Sequence, residues 1–112
     1  MKDDRLHLRH VLECTTRIDS YVTGGRDAFL RSTLVQDAVL RNLQTLAEST
    51  QRISEERKSA HPSIPWRSLA GFRNLLVHGY LGVDLVQVWR IVEQELPILR
   101  REIELMLREF GA

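Results

Sequence analysis

Residues 73 to 80, RNLLVHGY, place four polar side chains in one short stretch: Arg73, Asn74, His78 and Tyr80. A histidine titrates near neutrality and can move a proton to or from a hydroxyl group. Arginine can hold a phosphate and stabilise the charge that builds on it, and asparagine can orient either partner by hydrogen bonding. With a ribose 2′-hydroxyl as the nucleophile, this group has the chemistry needed to cleave RNA without a metal.

The spacing within this stretch does not by itself create a site. Asn74 and His78 are four residues apart and share a helix face, whereas Arg73 and His78 are five apart and diverge by about 140°. The long arginine stem and a helix end at Gly79 could bring them together, or a symmetric dimer could place Arg73 of one subunit near His78 of the other. The ordinary alternatives are a histidine that interacts with the helix dipole and an arginine in a surface ion pair.

Metal chemistry is not predicted. The stretch has one histidine and no carboxylate before Asp84, which is too few ligands for a metal site. His7 and His10 are three residues apart and could share a helix face, but no further ligand is evident. Cys14 is the single cysteine and is expected to be a buried small apolar residue. We therefore expect neither a metal nor another cofactor.

The composition predicts one soluble domain over residues 1–112, with 43% hydrophobic and 28% charged residues. No stretch approaches the roughly 20 apolar residues of a membrane span. The first ten residues, MKDDRLHLRH, carry charges where a signal peptide has its apolar core, so a cytoplasmic location without membrane association is expected. The net charge of +1 argues against binding nucleic acid through bulk electrostatics alone.

Apolar residues recur with helical spacing along most of the chain. The first stripe ends at Gly24-Gly25 and comprises Leu8, Val11, Thr15, Ile18 and Val22. The second belongs to a helix that should begin between Asp27 and Ser32, and comprises Val35, Val39, Leu43, Leu46, Thr50 and Ile53. Residues 54–64 are polar and contain Pro62, so they are predicted to form the main loop.

Two further helices are predicted after this loop. Pro65 suits a first helical position, and the third helix should end at Gly79. Asp84 is a plausible N-cap for a fourth helix, whose apolar stripe continues to Phe110 in unchanged register across Pro97. No segment alternates with a period of two residues. The predicted fold is all-α, an antiparallel four- to five-helix bundle with short connections.

The residues at 73–80 match the Arg-x4-His-x-Tyr motif of HEPN domains, and the wider chain resembles their HepT-like branch. The segment QDAVLRNLQTLAEST at 36–50 resembles that branch's second helix, although Ala47-Glu48 stands where a glycine-glutamate pair is usual. The segment IPWRSLAGFRNLLVHGY at 64–80 resembles the approach to the motif. Pro97 with its following leucine-rich turn also resembles the family, so the likeness covers nearly the whole chain.

The resemblance implies a homodimer in which the two motifs face each other in a cleft at the interface. It implies a metal-independent endoribonuclease toxin that is neutralised by a cognate MNT-type nucleotidyltransferase antitoxin, through AMP transfer from ATP to Tyr80. Arg73 would hold the scissile phosphate, His78 would act as general acid or base, and Asn74 would position one of them. Tyr80 would be the AMP acceptor and a possible contact for RNA. The alternative is a non-catalytic helical subunit that binds nucleotide or RNA beside a nucleotidyltransferase.

Overall fold

The computed structural model describes residues 4–79 and 82–110, and these are helical apart from short connections. Its elements are α1 Asp4–Tyr21, α2 Gly25–Arg31, α3 Thr33–Gln51, α4 Glu55–Ser59, α5 Trp66–His78, α6 Leu85–Arg90, a π-helical segment Ile91–Glu95 and α7 Leu96–Arg108. No strand occurs among the residues described, so the predicted all-α class is confirmed. None of the helices in those two ranges is long and apolar enough to cross a membrane.

Helix α1 runs antiparallel to its neighbour α3. His10 contacts Ser49, and Cys14, one turn later in α1, contacts Thr45, one turn earlier in α3. The two helices therefore run in opposite directions. The stripe predicted on α1 faces the core, since its members Leu8, Val11, Thr15 and Ile18 are buried. The apolar stripes of α3 and α7 also face the core, where they form one apolar cluster with that of α1.

The second predicted helix is interrupted near its start. A short helix α2 precedes Ser32, whose backbone is extended with φ −118° and ψ 109°, and α3 begins at Thr33. The Ser32 hydroxyl accepts a hydrogen bond from the Val35 N–H at 3.1 Å. This cap satisfies one of the free donors at the start of α3, so the helix begins there, one residue later than predicted.

The fourth predicted helix widens just before its proline. Asp84 caps α6 as predicted, since its side chain accepts hydrogen bonds from the N–H groups of Val86 and Gln87. The π-helical segment follows, with the Leu96 N–H bonded to the Ile91 carbonyl. Pro97 has no N–H and its ring would meet the carbonyl of Glu93 four residues earlier, so a wider turn there accommodates the ring. The apolar stripe continues on both sides of this segment, as the sequence predicts.

A short helix also forms inside the predicted main loop. The hydroxyl of Ser54 caps α4 by accepting from the Arg57 N–H at 3.3 Å. Downstream, the indole N–H of Trp66 donates to the carbonyls of Lys58 and His61, both at 3.1 Å. The loop is thus bonded to the first residue of α5, which fixes where that helix begins.

The buried carboxylate of Asp4 ties the start of α1 to this loop. It accepts from the Ser54 N–H at 2.9 Å, from the Ser54 hydroxyl at 2.7 Å and from the Arg57 Nε at 3.4 Å. The Nη1 of Arg57 also donates to Glu109 at 2.8 Å, beyond the end of α7. Burial tends to raise the pKa of Asp4, but these hydrogen bonds outweigh it and hold the pKa below its ordinary value.

Replacing Asp4 with asparagine is expected to lower the free energy of unfolding by about 1–3 kcal/mol at neutral pH, because its buried donors lose a charged acceptor. The lowered pKa stabilises the fold above the unfolded carboxyl's pKa of about 3.9, and this contribution is lost as the pH falls through the folded-state pKa. Urea unfolding across the acidic range should therefore show the difference from wild type shrinking as pH falls. Asp27→Asn, which alters an exposed ion pair, should cost less than about 0.5 kcal/mol. A pH-independent deficit for Asp4→Asn would contradict this account.

Candidate active site

Helix α5 carries residues 73–78 of the RNLLVHGY stretch along its C-terminal half. Trp66 begins the helix against the preceding loop, and Leu69, Phe72 and Leu76 pack towards the core. Packing on that side leaves the opposite side of the last two turns towards solvent, where Asn74, Leu75, Val77 and His78 are exposed. The core therefore determines which face of the helix presents the polar residues.

Arg73 is held from two sides by neighbouring side chains. Its Nη1 donates to the Asn74 Oδ1 at 3.2 Å, and its Nη2 lies 3.6 Å from the Glu48 Oε2 on α3. The side chain is 32% exposed, and its Nε atom is buried with no hydrogen-bond partner among the residues described. Since a guanidinium has five N–H donors, these contacts leave others free to bind an oxyanion.

His78 is the last residue of α5 and points its imidazole to solvent. No hydrogen bond or ion pair joins it to Arg73 within residues 4–79 and 82–110. The two residues lie on one regular helix, so the divergence of about 140° expected from their spacing applies to their Cα atoms. Within one chain, the structure does not bring Arg73 and His78 into a pair.

Asn74 has the supporting contact that its position suggested, because its amide oxygen accepts from Arg73. Tyr80, the expected AMP acceptor and RNA contact, lies outside the described residues. The roles of all four residues in catalysis or modification therefore stay predictions.

Gly79 directly follows the last residue of α5, so the predicted end of this helix is confirmed. Its φ is −123°, which is not the left-handed conformation of a typical glycine cap, and its N–H donates to the Leu75 carbonyl at 2.7 Å. A Cβ atom at this position would lie 3.1 Å from the Leu75 Cδ1 and 3.3 Å from the Leu75 carbonyl oxygen. Glycine thus gives close contact with the preceding turn rather than access to a positive φ.

His10 and Cys14 of α1 take part in packing between helices. His10 Nδ1 lies 2.6 Å from the Ser49 Oγ, and His10 Nε2 lies 3.7 Å from the Cys14 Sγ. Burial raises the pKa of the Cys14 thiol, so it stays protonated at neutral pH and is a poor nucleophile. This confirms the prediction of a buried cysteine. In the described part of the chain, no group of three or more histidine, cysteine, aspartate or glutamate residues is arranged to hold a metal ion.

Glu48 is the contact of this site that sequence reasoning did not find. It lies 25 positions before Arg73, on a different helix, and the distance along the chain gives no sign of their proximity. The pairing follows from the packing of α3 against α5. The only sequence signal was Glu48 itself, which stands at a half-buried position near the end of α3.

Comparison with known proteins identifies relatives over most of the chain. A family model described as "Ribonuclease HepT-like" matches residues 11–106. A "Gamma-glutamylcyclotransferase and putative RNase" of Methanocaldococcus jannaschii is 33% identical over 96% of this chain, and the match covers 49% of that relative. A "Probable ribonuclease HepT" of Thermococcus cleftensis is 38% identical over 68% of this chain and 69% of its own length. A "Putative RNase" of Caldanaerobacter subterraneus is 28% identical over 97% of this chain and 98% of its own length. No solved structure matches the chain significantly.

Proposed function

The chain belongs to the HepT-like ribonuclease family, and we propose that it is a metal-independent endoribonuclease toxin whose catalytic residues are Arg73 and His78. The observation that carries this proposal is the state of Arg73. Asn74 and Glu48 hold its guanidinium in place while part of the side chain remains exposed, and His78 is exposed one turn further along the same helix. A fixed arginine can bind a reacting phosphate and a solvent-facing imidazole can transfer a proton, so each copy of the motif offers both groups that phosphoryl transfer needs.

The reaction needs two proton transfers and one anchored phosphate. A base removes the proton of the ribose 2′-hydroxyl, the 2′-oxygen bonds to phosphorus, and the bond to the 5′-oxygen breaks as an acid protonates that oxygen. The products are a 2′,3′-cyclic phosphate and a 5′-hydroxyl. His78 performs one of these proton transfers, and Arg73 neutralises the negative charge that grows on the phosphate oxygens.

The active unit is a homodimer in this proposal. Arg73 and His78 are not paired within one chain, and two apolar side chains between them in sequence are exposed, Leu75 at 47% and Val77 at 38%. A two-fold contact through the solvent-facing side of the last two turns of α5 would cover part of this apolar surface and bring the two motifs together. Arg73 of one subunit would then act with His78 of the other.

The direct test is incubation of the purified chain with RNA in the presence of EDTA. Cleavage that leaves cyclic phosphate ends supports the proposal. The net charge of +1 favours the alternative, a non-catalytic subunit that binds nucleotide or RNA beside a nucleotidyltransferase, because a nuclease gains from a more basic surface. RNA binding without cleavage would support that alternative.

Control of the toxin is assigned to an MNT-type nucleotidyltransferase that transfers AMP from ATP to Tyr80. The hydroxyl of Tyr80 attacks the α-phosphorus of ATP, and pyrophosphate leaves. The added phosphate and nucleoside next to Arg73 would occupy the phosphate site and repel RNA.

Incubation with the partner enzyme and ATP is expected to raise the intact mass by whole AMP units and to abolish RNA cleavage. Tyr80→Phe should prevent both changes, and Tyr21→Phe, which alters an exposed tyrosine at the end of α1, should prevent neither. Intact-mass spectrometry of each variant measures the outcome. An unchanged wild-type mass would contradict this form of control.

A further inference from the structure

An open groove lies between α1 and α3. Its volume is about 600 Å³, and we call it the α1–α3 groove. It is lined by Leu6, His7, Arg9, His10 and Glu13 of α1, by Thr45, Glu48 and Ser49 of α3, and by Arg52. Neither the sequence motif nor the proposed catalytic residues account for this groove.

The groove is continuous with the candidate active site through Glu48. This side chain lines the groove and at the same time lies 3.6 Å from the Arg73 guanidinium. Arg52 stands four residues after Glu48, which is about 6 Å further along the helix direction. An RNA strand with one phosphate bound at Arg73 can therefore extend past Glu48 towards Arg52.

Two arginines in the groove have cationic groups available to a ligand. Arg9 and Arg52 are exposed and have no ion pair in the part of the chain that the structure describes. Other arginines of the same surface type are engaged, such as Arg90 with Glu95 at 3.2 Å and Arg100 with Asp19. Of the groove's two carboxylates, Glu48 faces Arg73 and Glu13 remains, so the three arginines at this surface exceed the carboxylates by one.

The floor of the groove is a fixed polar surface. His10 bridges the two helices through Ser49 at 2.6 Å and Cys14 at 3.7 Å, and Cys14 contacts Thr45 at 3.3 Å. These contacts keep α1 and α3 at one separation, and packed helices lie about 8–10 Å apart. A groove along one helix–helix contact can follow a single extended strand, and single strands are bound in positively charged grooves that track their backbone.

We propose that the α1–α3 groove binds the single-stranded RNA that flanks the scissile phosphate, with Arg9 and Arg52 holding its backbone phosphates. This inference rests on the proposed ribonuclease function, and it assigns the position of the bound RNA strand beyond the phosphate held by Arg73. The two arginines anchor the strand and take no part in the chemical step.

Binding is tested with a labelled RNA in which every ribose is 2′-O-methylated, since this strand has no nucleophile and cannot be cleaved. Arg9→Ala combined with Arg52→Ala should weaken its binding roughly tenfold and reduce the slope of log K against log salt by about 1.4, or about 0.7 for each phosphate contact. The control combines Arg101→Ala with Arg108→Ala, two exposed arginines of α7 that do not line the groove. Thermal unfolding of both double variants should match that of wild type.

Cleavage of an unmodified RNA of the same sequence separates this inference from the proposed function. The groove variant should have a raised KM and a nearly unchanged kcat, whereas the α7 control should keep both. If the groove and α7 variants bind the methylated RNA equally well while the wild type cleaves RNA, the groove assignment is wrong and the ribonuclease proposal stands. If the wild type cleaves nothing and the groove variant alone loses binding, the groove assignment stands and the ribonuclease proposal falls.

Discussion

Replacing Arg73 with alanine is expected to slow RNA cleavage by about 10²–10³-fold, because one preorganised donor to the reacting phosphate is lost. His78→Ala should slow it by about 10²–10⁴-fold, the usual contribution of a positioned acid or base. Both variants should still fold, since Arg73 is partly exposed and His78 is exposed. Quantifying the cyclic phosphate product over time measures both effects.

The matched control for Arg73→Ala is Arg67→Ala, which removes an exposed arginine from the first turns of the same helix. It should leave the cleavage rate within about twofold of wild type, in line with the small effect of most surface substitutions. Arg73→Lys should recover only part of the activity, because a lysine keeps the charge but cannot maintain the two-sided contact with Asn74 and Glu48. If the His78→Ala protein cleaved RNA at the wild-type rate, the assignment of His78 as general acid or base would be wrong.

Mixing the Arg73→Ala and His78→Ala proteins is expected to restore activity that neither has alone. In a two-fold dimer that pairs Arg73 of one subunit with His78 of the other, a mixed dimer has one intact pair and one pair that lacks both groups. With random subunit exchange half of the dimers are mixed, so the activity should reach about a quarter of the wild-type value. The measurement is the cleavage rate after the two proteins are mixed, unfolded together and refolded.

The same mixture distinguishes the composite site from a site formed within one chain. If Arg73 and His78 of a single chain acted together, the mixed dimer would contain no intact pair and the mixture would stay inactive. As the control, the His78→Ala protein alone is unfolded and refolded in the same way, which shows any activity that the treatment itself produces. An inactive mixture would therefore disprove the site shared between subunits and leave the ribonuclease assignment to be tested by the single variants.

The fold could be predicted largely because its signals are local. The stripes of Leu8 to Ile18 and of Val88 to Met106 are buried as their spacing required, and Asp84 caps its helix through contacts with residues close in sequence. The break at Ser32 was missed because the apolar spacing of α3 gives no sign of the separate short helix before it. The π-helical segment was missed for a similar reason, since the stripe stays in register while the backbone widens ahead of Pro97.

The site could be predicted only in part because its contacts cross between helices. The pairing of Arg73 with Asn74 follows from adjacency, but the contact of Arg73 with Glu48 depends on how α3 packs on α5. The α1–α3 groove likewise depends on which side chains meet across two helices. Helical spacing did correctly indicate that Arg73 and His78 diverge within one chain, and this divergence is the reason for proposing a shared site.

The guanidinium of Arg57 contacts residues from both the first and the last described segments of the chain. Its Nε contacts Asp4 and its Nη1 contacts Glu109, while its guanidinium lies 4.3 Å from the centre of the Phe110 ring. Residues 4 and 109 are therefore close together in space, although they lie far apart in the sequence. A polypeptide cut to residues 4–109 could have these two positions joined by a short linker, with new ends in an exposed connection elsewhere, because circular permutation is tolerated where the joined positions lie close together. The same segment could be inserted into a surface loop of another protein without stretching it at either end.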